Sequence, residues 1–242
     1  MALFVQKVGG SLLKSDGDFL PIAHYLKNLY QQGNALVVVI SASYGKTNAL
    51  VKQSACFSAE QGPAYELLLS LGEQTSCALL GLALQSLHLP YEIFCGKDVG
   101  ITQISFDDFR VDEKRYLSAL KKGIVIVSGF HVVDAAKNLV NLGRGGSDLT
   151  AILLAHYLKG DRCTLLKDIP GISNVDPNCG PTNQFFESIH YKDLAQLLKQ
   201  NIPVVQKRAL KFAEKVGQTF SVSDLNGLGT LVGDFETKFR KL

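Results

Sequence analysis

Lys7 stands just before a glycine pair, in the stretch KVGGS that closes an apolar run and ends at Ser11. Gly9 and Gly10 would let backbone N–H groups approach an anion, and the lysine supplies positive charge for phosphate oxygens. The spacing is neither GxxxxGKS nor GxGxxG, which excludes the standard nucleotide loops; a plain turn after a strand reads the same way. A second small polar stretch, SASYGKTN from Ser41 to Asn48, follows the strongest apolar run in the chain. As a strand-to-helix loop it offers Thr47 as an N-cap. Its hydroxyls and N–H groups equally suit a ligand crevice beyond the carboxyl ends of parallel strands.

Two further residues ask for a partner. Glu73, in LSLGEQTSCALLGLALQ, heads an almost wholly apolar helical segment. In a first turn it complements the helix dipole, but a helix this apolar is not a surface element, and a buried carboxylate needs a counter-charge such as a ligand ammonium. LGRGGSDLTA, residues 142–151, sets Arg144 among three glycines directly before Ser147 and Asp148. Ser147 fits an N-cap and Asp148 a first helical turn. Neither role explains Arg144, whose guanidinium fork suits a carboxylate or phosphate and whose glycine neighbours leave a ligand room. His24, His88, His131, His156 and His190 are scattered and read as packing or surface residues. No GxSxG and no His or Cys pairing supports a hydrolase triad or a zinc site.

These side chains need strand ends and helix starts to hold them. Strand-length apolar runs at residues 2–7, 35–41, 91–95, 124–128, 163–167 and 219–223 alternate with segments of helical period. The helices are expected at residues 19–32, 47–59, 64–87, 112–122, 148–159, 191–200 and 207–216. That alternation is the pattern of a parallel sheet covered by helices. The loop from Asp168 to Gln184 holds three of the seven prolines and lacks periodicity, as expected of a functional loop or a seam between two lobes.

Bulk properties narrow the class. The chain has 242 residues, 46% hydrophobic and 19% charged, enough for a sizeable core. Its net charge of +3 is spread along the sequence, which does not favour nucleic acid as a partner. Five cysteines, odd in number and widely spaced, read as reduced thiols. The N-terminus does not read as a signal peptide and no apolar run is expected to reach bilayer length, so a cytoplasmic protein without membrane contact is expected.

Taken in order, VQKVGGSLL, VVVISASYGKTNALV, LSLGEQTSCALLGLALQ, IVSGF, LGRGGSDLTAILLA and LLKDIPGISNVDP resemble the catalytic domain of aspartate kinases, in the amino acid kinase superfamily, from about Leu3 to Gly233. The resemblance implies a three-layer α/β/α sandwich with a mainly parallel central sheet. Residues up to about 158 would form the amino-acid-binding lobe and residues 159–242 the nucleotide-binding lobe. The implied reaction moves the γ-phosphoryl group of ATP to the side-chain carboxylate of L-aspartate. Lys7 and Asp148 would be catalytic, Asp148 orienting Lys7; the acceptor is already ionised at neutral pH and needs no base. Glu73 would take the ammonium, Arg144 with Ser147 a carboxylate, and Ser41, Thr47 and Phe130 would line the same site. Lys7, Gly9, Gly10, Ser11, Lys167, Asp168, Ser173, Asp176 and Asn178 would serve ATP, with Mg²⁺ held through its phosphates and no protein metal ligand.

The nucleotide stretch departs from the family pattern. Ser173 stands where a tyrosine is common, Asn178 where an arginine is common, and Pro203 replaces a lysine that often contacts phosphate; Lys167 or Lys207 would restore the charge. The segment from Thr47 to Glu73 is short for the family. After GLGTLVG only a charged tail remains, so the regulatory ACT domains, and feedback inhibition by lysine or threonine, are expected to be absent. The assembly is open between monomer and homodimer. Alternative readings are a superfamily kinase for acetylglutamate, glutamate or a nucleoside monophosphate, and a non-catalytic amino acid or nucleotide sensor.

Overall fold

The computed structural model describes residues 1–57, 62–174, 184–200 and 204–240. Its frame is set by four apolar runs that pair in parallel: β1 (Leu3–Val8), β2 (Ala35–Ile40), β6 (Ile124–Ser128) and β9 (Arg162–Leu166). β1 lies between β2 and β9, with Val5 opposite both Val37 and Cys163, and β2 continues to β6. Every residue of β2 is buried, so both of its faces need cover.

The period of two along these strands assigns the cover. Val37, Val39, Val125 and Val127 point to one side and pack with α4 (Glu113–Leu120), α5 (Gly146–Tyr157), α6 (Tyr191–Lys199) and α7 (Lys207–Val216). Leu36, Val38, Ile40, Ile124 and Ile126 point to the other side and pack with α1 (Phe19–Gln31) and α3 (Pro63–Ser86). Three layers follow, as expected. α2 (Lys46–Ser54) packs on α3.

The central sheet is wider than its apolar runs announce. β3 (Tyr91–Phe94) and β11 (Phe220–Ser223) were legible; β10 (Phe186–His190), β12 (Gly229–Gly233) and β13 (Lys238–Phe239) were not. The order is β13-β10-β12-β11-β9-β1-β2-β6-β3, and among its described strands the pairs β11–β12 and β10–β13 are antiparallel. A second sheet, β5-β4-β7-β8, is built from β4 (Ile101–Ser105), β5 (Asp108–Val111), β7 (His131–Val133) and β8 (Leu139–Asn141). β7 and β8, at three residues each, are too short to show an alternation, and β4 (ITQIS) and β5 (DFRV) are short and mixed with polar residues, unlike the continuous apolar runs of the central sheet.

One expectation is corrected. α3, at 24 residues, is long and apolar enough by composition to cross a bilayer. Its apolarity has a local use: Cys77, Leu80 and Leu84 lie fully buried against the sheet and α1.

Candidate active site

The chemistry-bearing loops gather beyond the carboxyl ends of β1, β2, β6 and β9. Backbone bonds extend the ladder past the strands and tie the loops down: Gly9 N–H donates to Leu166 O (3.0 Å), Ser41 N–H to Val8 O (3.1 Å) and Gly129 N–H to Ile40 O (3.0 Å). Glycine is required where they touch. A Cβ on Gly10 would stand 2.6 Å from the Ala42 carbonyl oxygen, and one on Gly129 would stand 2.5 Å from Ser147 Oγ.

Two helices begin the same way here. Gly45 (φ 76°) caps α2 and Gly145 (φ 80°) caps α5, both in the left-handed region. The expected capping roles of Thr47 and Ser147 are therefore corrected: each is the second helical residue, and neither cap position makes a side-chain hydrogen bond. The turn needs a residue at positive φ, which glycine supplies cheaply and which leaves both hydroxyls for a ligand.

Ser41, Thr47, Glu73, Phe130, Arg144 and Ser147 line a single cavity of about 490 Å³. Gly10 and Ser11 border it from the β1 side. Glu73 is 3% exposed. Its Oε1 accepts from Ala42 N–H (3.2 Å), while Oε2 has no hydrogen-bond partner among the described residues. Burial pushes its carboxyl up to about 7, against the lowering effect of the Ala42 amide. Arg144 is exposed and has no ion-pair partner among the described residues. The cavity thus offers a carboxylate and a guanidinium, the two groups a zwitterion needs.

A second cavity of about 710 Å³ meets the first at Arg144 and Gly145. Five cationic side chains, Lys7, Arg144, Lys167, Lys207 and Arg208, face one carboxylate, Asp148. Lys7 Nζ lies 2.8 Å from Asp148 Oδ1, with both side chains buried, and Lys167 Nζ lies 4.0 Å from Oδ2. Gln206 N–H donates to the same Oδ2 (3.1 Å). Burial raises the Asp148 carboxyl, but Lys167, Lys7 and these donors prevail and hold it below the usual carboxylate range. Burial lowers Lys167, with Asp148 opposing and Lys7 reinforcing. An anion cradled by several cations and steered by a fixed carboxylate is the setting a polyphosphate calls for.

The remaining expected residues are placed as follows. A Cβ on Gly9 would lie 3.6 Å from Lys7 Nζ, so its backbone runs beside the ammonium. Asp168 lines neither cavity; Ser11 hydrogen-bonds it, and Lys14 pairs with it at 3.4 Å near the surface. Ser173 is buried and bridges to Phe185, outside both linings. Asp176, Asn178 and Pro203 lie outside the described residues, as does Ala59 at the expected end of α2. Among the described residues no group of three or more His, Cys, Asp or Glu is set to hold a metal.

Sequence reading missed Gln206, Asn141 and Tyr65, which line one cavity or the other. No motif marks them: Gln206 sits at the start of α7, brought to Asp148 only by the packing of α7 on α5. His131, read as a scattered packing residue, is fully buried beside Phe130, with ring centroids 4.5 Å apart.

Known proteins resemble this chain in sequence and fold. The profile described as "Amino acid kinase family" matches residues 2–222. An aspartate kinase of Pseudomonas fluorescens (strain SBW25) is 34% identical over 242 residues, covering 96% of this chain and 59% of that protein. The crystal structure of aspartate kinase from Synechocystis is 33% identical with a TM-score of 0.84, covering 100% of this chain and 41% of that one. E. coli aspartokinase III in complex with aspartate and ADP superposes with a TM-score of 0.79 over 97% of this chain and 65% of that one. At 21% identity it shows the fold alone. The chain spans about three fifths of the length of the curated relatives it matches.

Proposed function

The chain belongs to the amino acid kinase family, and from that premise we propose that it transfers the γ-phosphoryl group of ATP to the side-chain carboxylate of L-aspartate, giving 4-phospho-L-aspartate and ADP. One observation carries the reading: a cavity with Glu73 and Arg144 opens, at Arg144 and Gly145, onto a cavity with Lys7, Asp148 and Lys167. A carboxylate oxygen attacks the γ-phosphorus and the bond to the β–γ bridging oxygen breaks. Both reactants are anions, so the protein's work is alignment and neutralisation of charge.

Each residue then has a task. Glu73 binds the ammonium; Arg144 and Ser147 hold a carboxylate; Ser41, Thr47 and Phe130 shape the walls. Lys7, beside the amides of Gly9 and Gly10, steadies the transferring phosphoryl group, and Asp148 aims Lys7. Lys167 and Lys207 neutralise the nucleotide phosphates, whose Mg²⁺ supplies further positive charge. Ser11, Asp168, Ser173, Asp176 and Asn178 belong to the nucleotide side of this reading. The acceptor lobe ends at about residue 158 and the donor lobe follows, although β1 pairs with strands of both and Lys7 serves the donor. The partners are aspartate and MgATP in the cytoplasm, without nucleic acid or membrane, for a monomer or homodimer.

The test is trapping. Incubation with MgATP, L-aspartate and hydroxylamine is expected to yield aspartyl hydroxamate together with ADP. Folded protein that makes none removes aspartate as the acceptor. The same assay with glutamate and acetylglutamate, and release of ADP with a nucleoside monophosphate, then identifies another acceptor, and silence with all of them favours a sensor.

A further inference from the structure

The guanidinium that faces both cavities is carried by a loop that has no secondary structure of its own from Leu142 to Gly145. Behind it lies a polar cluster that the roles above leave unused. Glu66, in the first turn of α3, accepts from Asn141 Nδ2 through Oε1 (2.8 Å) and lies 3.1 Å from His131 Nε2 through Oε2. Both of its oxygens are therefore engaged. Asn141 is engaged at both ends too, because its Oδ1 accepts from Gly143 N–H (3.0 Å). Leu142 N–H donates to Phe130 O (2.7 Å), and Gln206 Nε2 donates to Leu142 O (2.9 Å).

The chemistry of the cluster is one-directional. A carboxylate offers only acceptors, so the ring hydrogen of His131 sits on Nε2. His131 Nδ1 is then a bare acceptor, and it has no partner among the described residues. The ring is 1% exposed, and burial lowers it to about 4, so it stays neutral near pH 7. Glu66 is thus held by two donors, one from each strand of the β7–β8 hairpin, and burial raises its carboxyl against the lowering effect of the Asn141 hydrogen bonds. His131 in turn packs on Phe130, which holds an uncommon left-handed backbone (φ 71°) in the cavity wall.

We propose that Glu66 is a positioning residue that clasps the Arg144 loop, through Asn141 and His131, in the shape that grips the amino acid's carboxylate. The inference rests on the acceptor reading above and deepens it. It makes α3 the common support of the pocket: Glu73 enters the cavity directly, while Glu66, two turns earlier, sets the loop that carries the opposite charge.

The experiment compares Glu66→Ala, Glu66→Gln and Asn141→Ala in the full chain by hydrogen exchange over residues 141–146 and by steady-state kinetics. Glu66→Ala and Asn141→Ala are expected to speed exchange of this segment about tenfold or more, with β1 and β2 unchanged. Glu66→Gln keeps an acceptor for Asn141 and lets the imidazole move its hydrogen to Nδ1, so its exchange is expected within about threefold of wild type. In the trapping assay, Glu66→Ala should raise KM for aspartate about tenfold while KM for ATP stays within twofold, and Glu66→Gln should restore most of the loss. Combining Glu66→Ala with Asn141→Ala should add little to either change alone. Unchanged exchange at residues 141–146, or equal rises in both KM values, would overturn the clasp. If wild type makes no hydroxamate, the aspartate reading fails by itself, while the exchange result still decides whether Glu66 holds the loop.

Discussion

The two cavities that meet at Arg144 handle charge in opposite ways. In the first, a single carboxylate, Glu73, is buried with one oxygen unmatched by any described residue, and the one cationic side chain in the lining is the exposed loop residue Arg144. In the second, lining cations outnumber the one lining acid, Asp148, which is paired with Lys7 and Lys167 and accepts from the Gln206 amide. The first is incomplete until a cation arrives, and the second until an anion arrives. A buried, unpaired charge is costly, so each site carries a built-in demand for the ligand of opposite sign.

The sharpest way to break this contrast is Lys7→Ala. It removes the ammonium nearest Asp148 and is expected to lower kcat by about 10²- to 10³-fold, with KM for aspartate little changed. A comparable rise in KM for aspartate would mean that Lys7 belongs to the first cavity. Next comes Arg144→Ala, which removes the group common to both cavities. Loss of a charge-assisted contact of about 2 kcal/mol corresponds to roughly a 30-fold rise in KM for aspartate, and a smaller one for ATP, which keeps the other cations. The reverse order, read from full kinetics with both substrates, would exchange the assignments of the two cavities.

Glu73→Gln is expected to raise KM for aspartate about tenfold. It also tests the protonation argument. The folded-state carboxyl titrates near 7, above its ordinary 4.5, so the folded protein holds this proton more tightly than the unfolded chain. The contribution of this group to stability is greatest below pH 4.5 and falls as pH rises to about 7, by roughly 3 kcal/mol at most. Denaturant melts of wild type and Glu73→Gln across pH 4–8 should diverge by that amount, with the glutamine variant relatively more stable at pH 8. Binding an ammonium needs the carboxylate, so KM for aspartate in wild type should fall as pH rises from 6 to 8. A flat profile that matches Glu73→Gln would separate Glu73 from the ammonium.

The smallest effects belong to the two hydroxyls. Because Gly45 and Gly145 occupy the cap positions, Thr47→Ala and Ser147→Ala are expected to cost less than about 0.5 kcal/mol of stability, where loss of a true cap costs about 1. KM for aspartate should rise about two- to threefold in each. A melting-temperature loss the size of a lost cap, with kinetics intact, would return both residues to helix capping.

Much of this was legible before any coordinates. Buried parallel strands must be apolar on both faces, which is why ALVVVI at β2 and IVIVS at β6 stand out; amphipathic helices such as α4, α6 and α7 announce themselves by period, and α3 and α5 by apolar runs longer than a strand. The second sheet did not, because LVN at β8 and HVV at β7 are too short to show a period. All six residues expected to meet the amino acid line one cavity: loops after parallel strands and the helix starts they feed open at the same edge of the sheet, and α3 packs so that Glu73, midway along it, reaches that edge. The nucleotide side scattered more: Asp168 and Ser173 line neither cavity, while Gln206 does without any motif to mark it.

Local order along the chain, then, determined which residue types follow each strand, where the helices run and which side chains can reach the crevice, because those follow from periodicity and turn chemistry. Only the tertiary structure decided what state those groups are in. Whether Glu73 is pushed towards neutrality, Asp148 held ionised or His131 kept neutral depends on desolvation and on neighbours drawn from distant parts of the chain. Such pairings as Lys7 with Asp148 and Glu66 with Asn141 have no local signature, since packing alone brings the partners together.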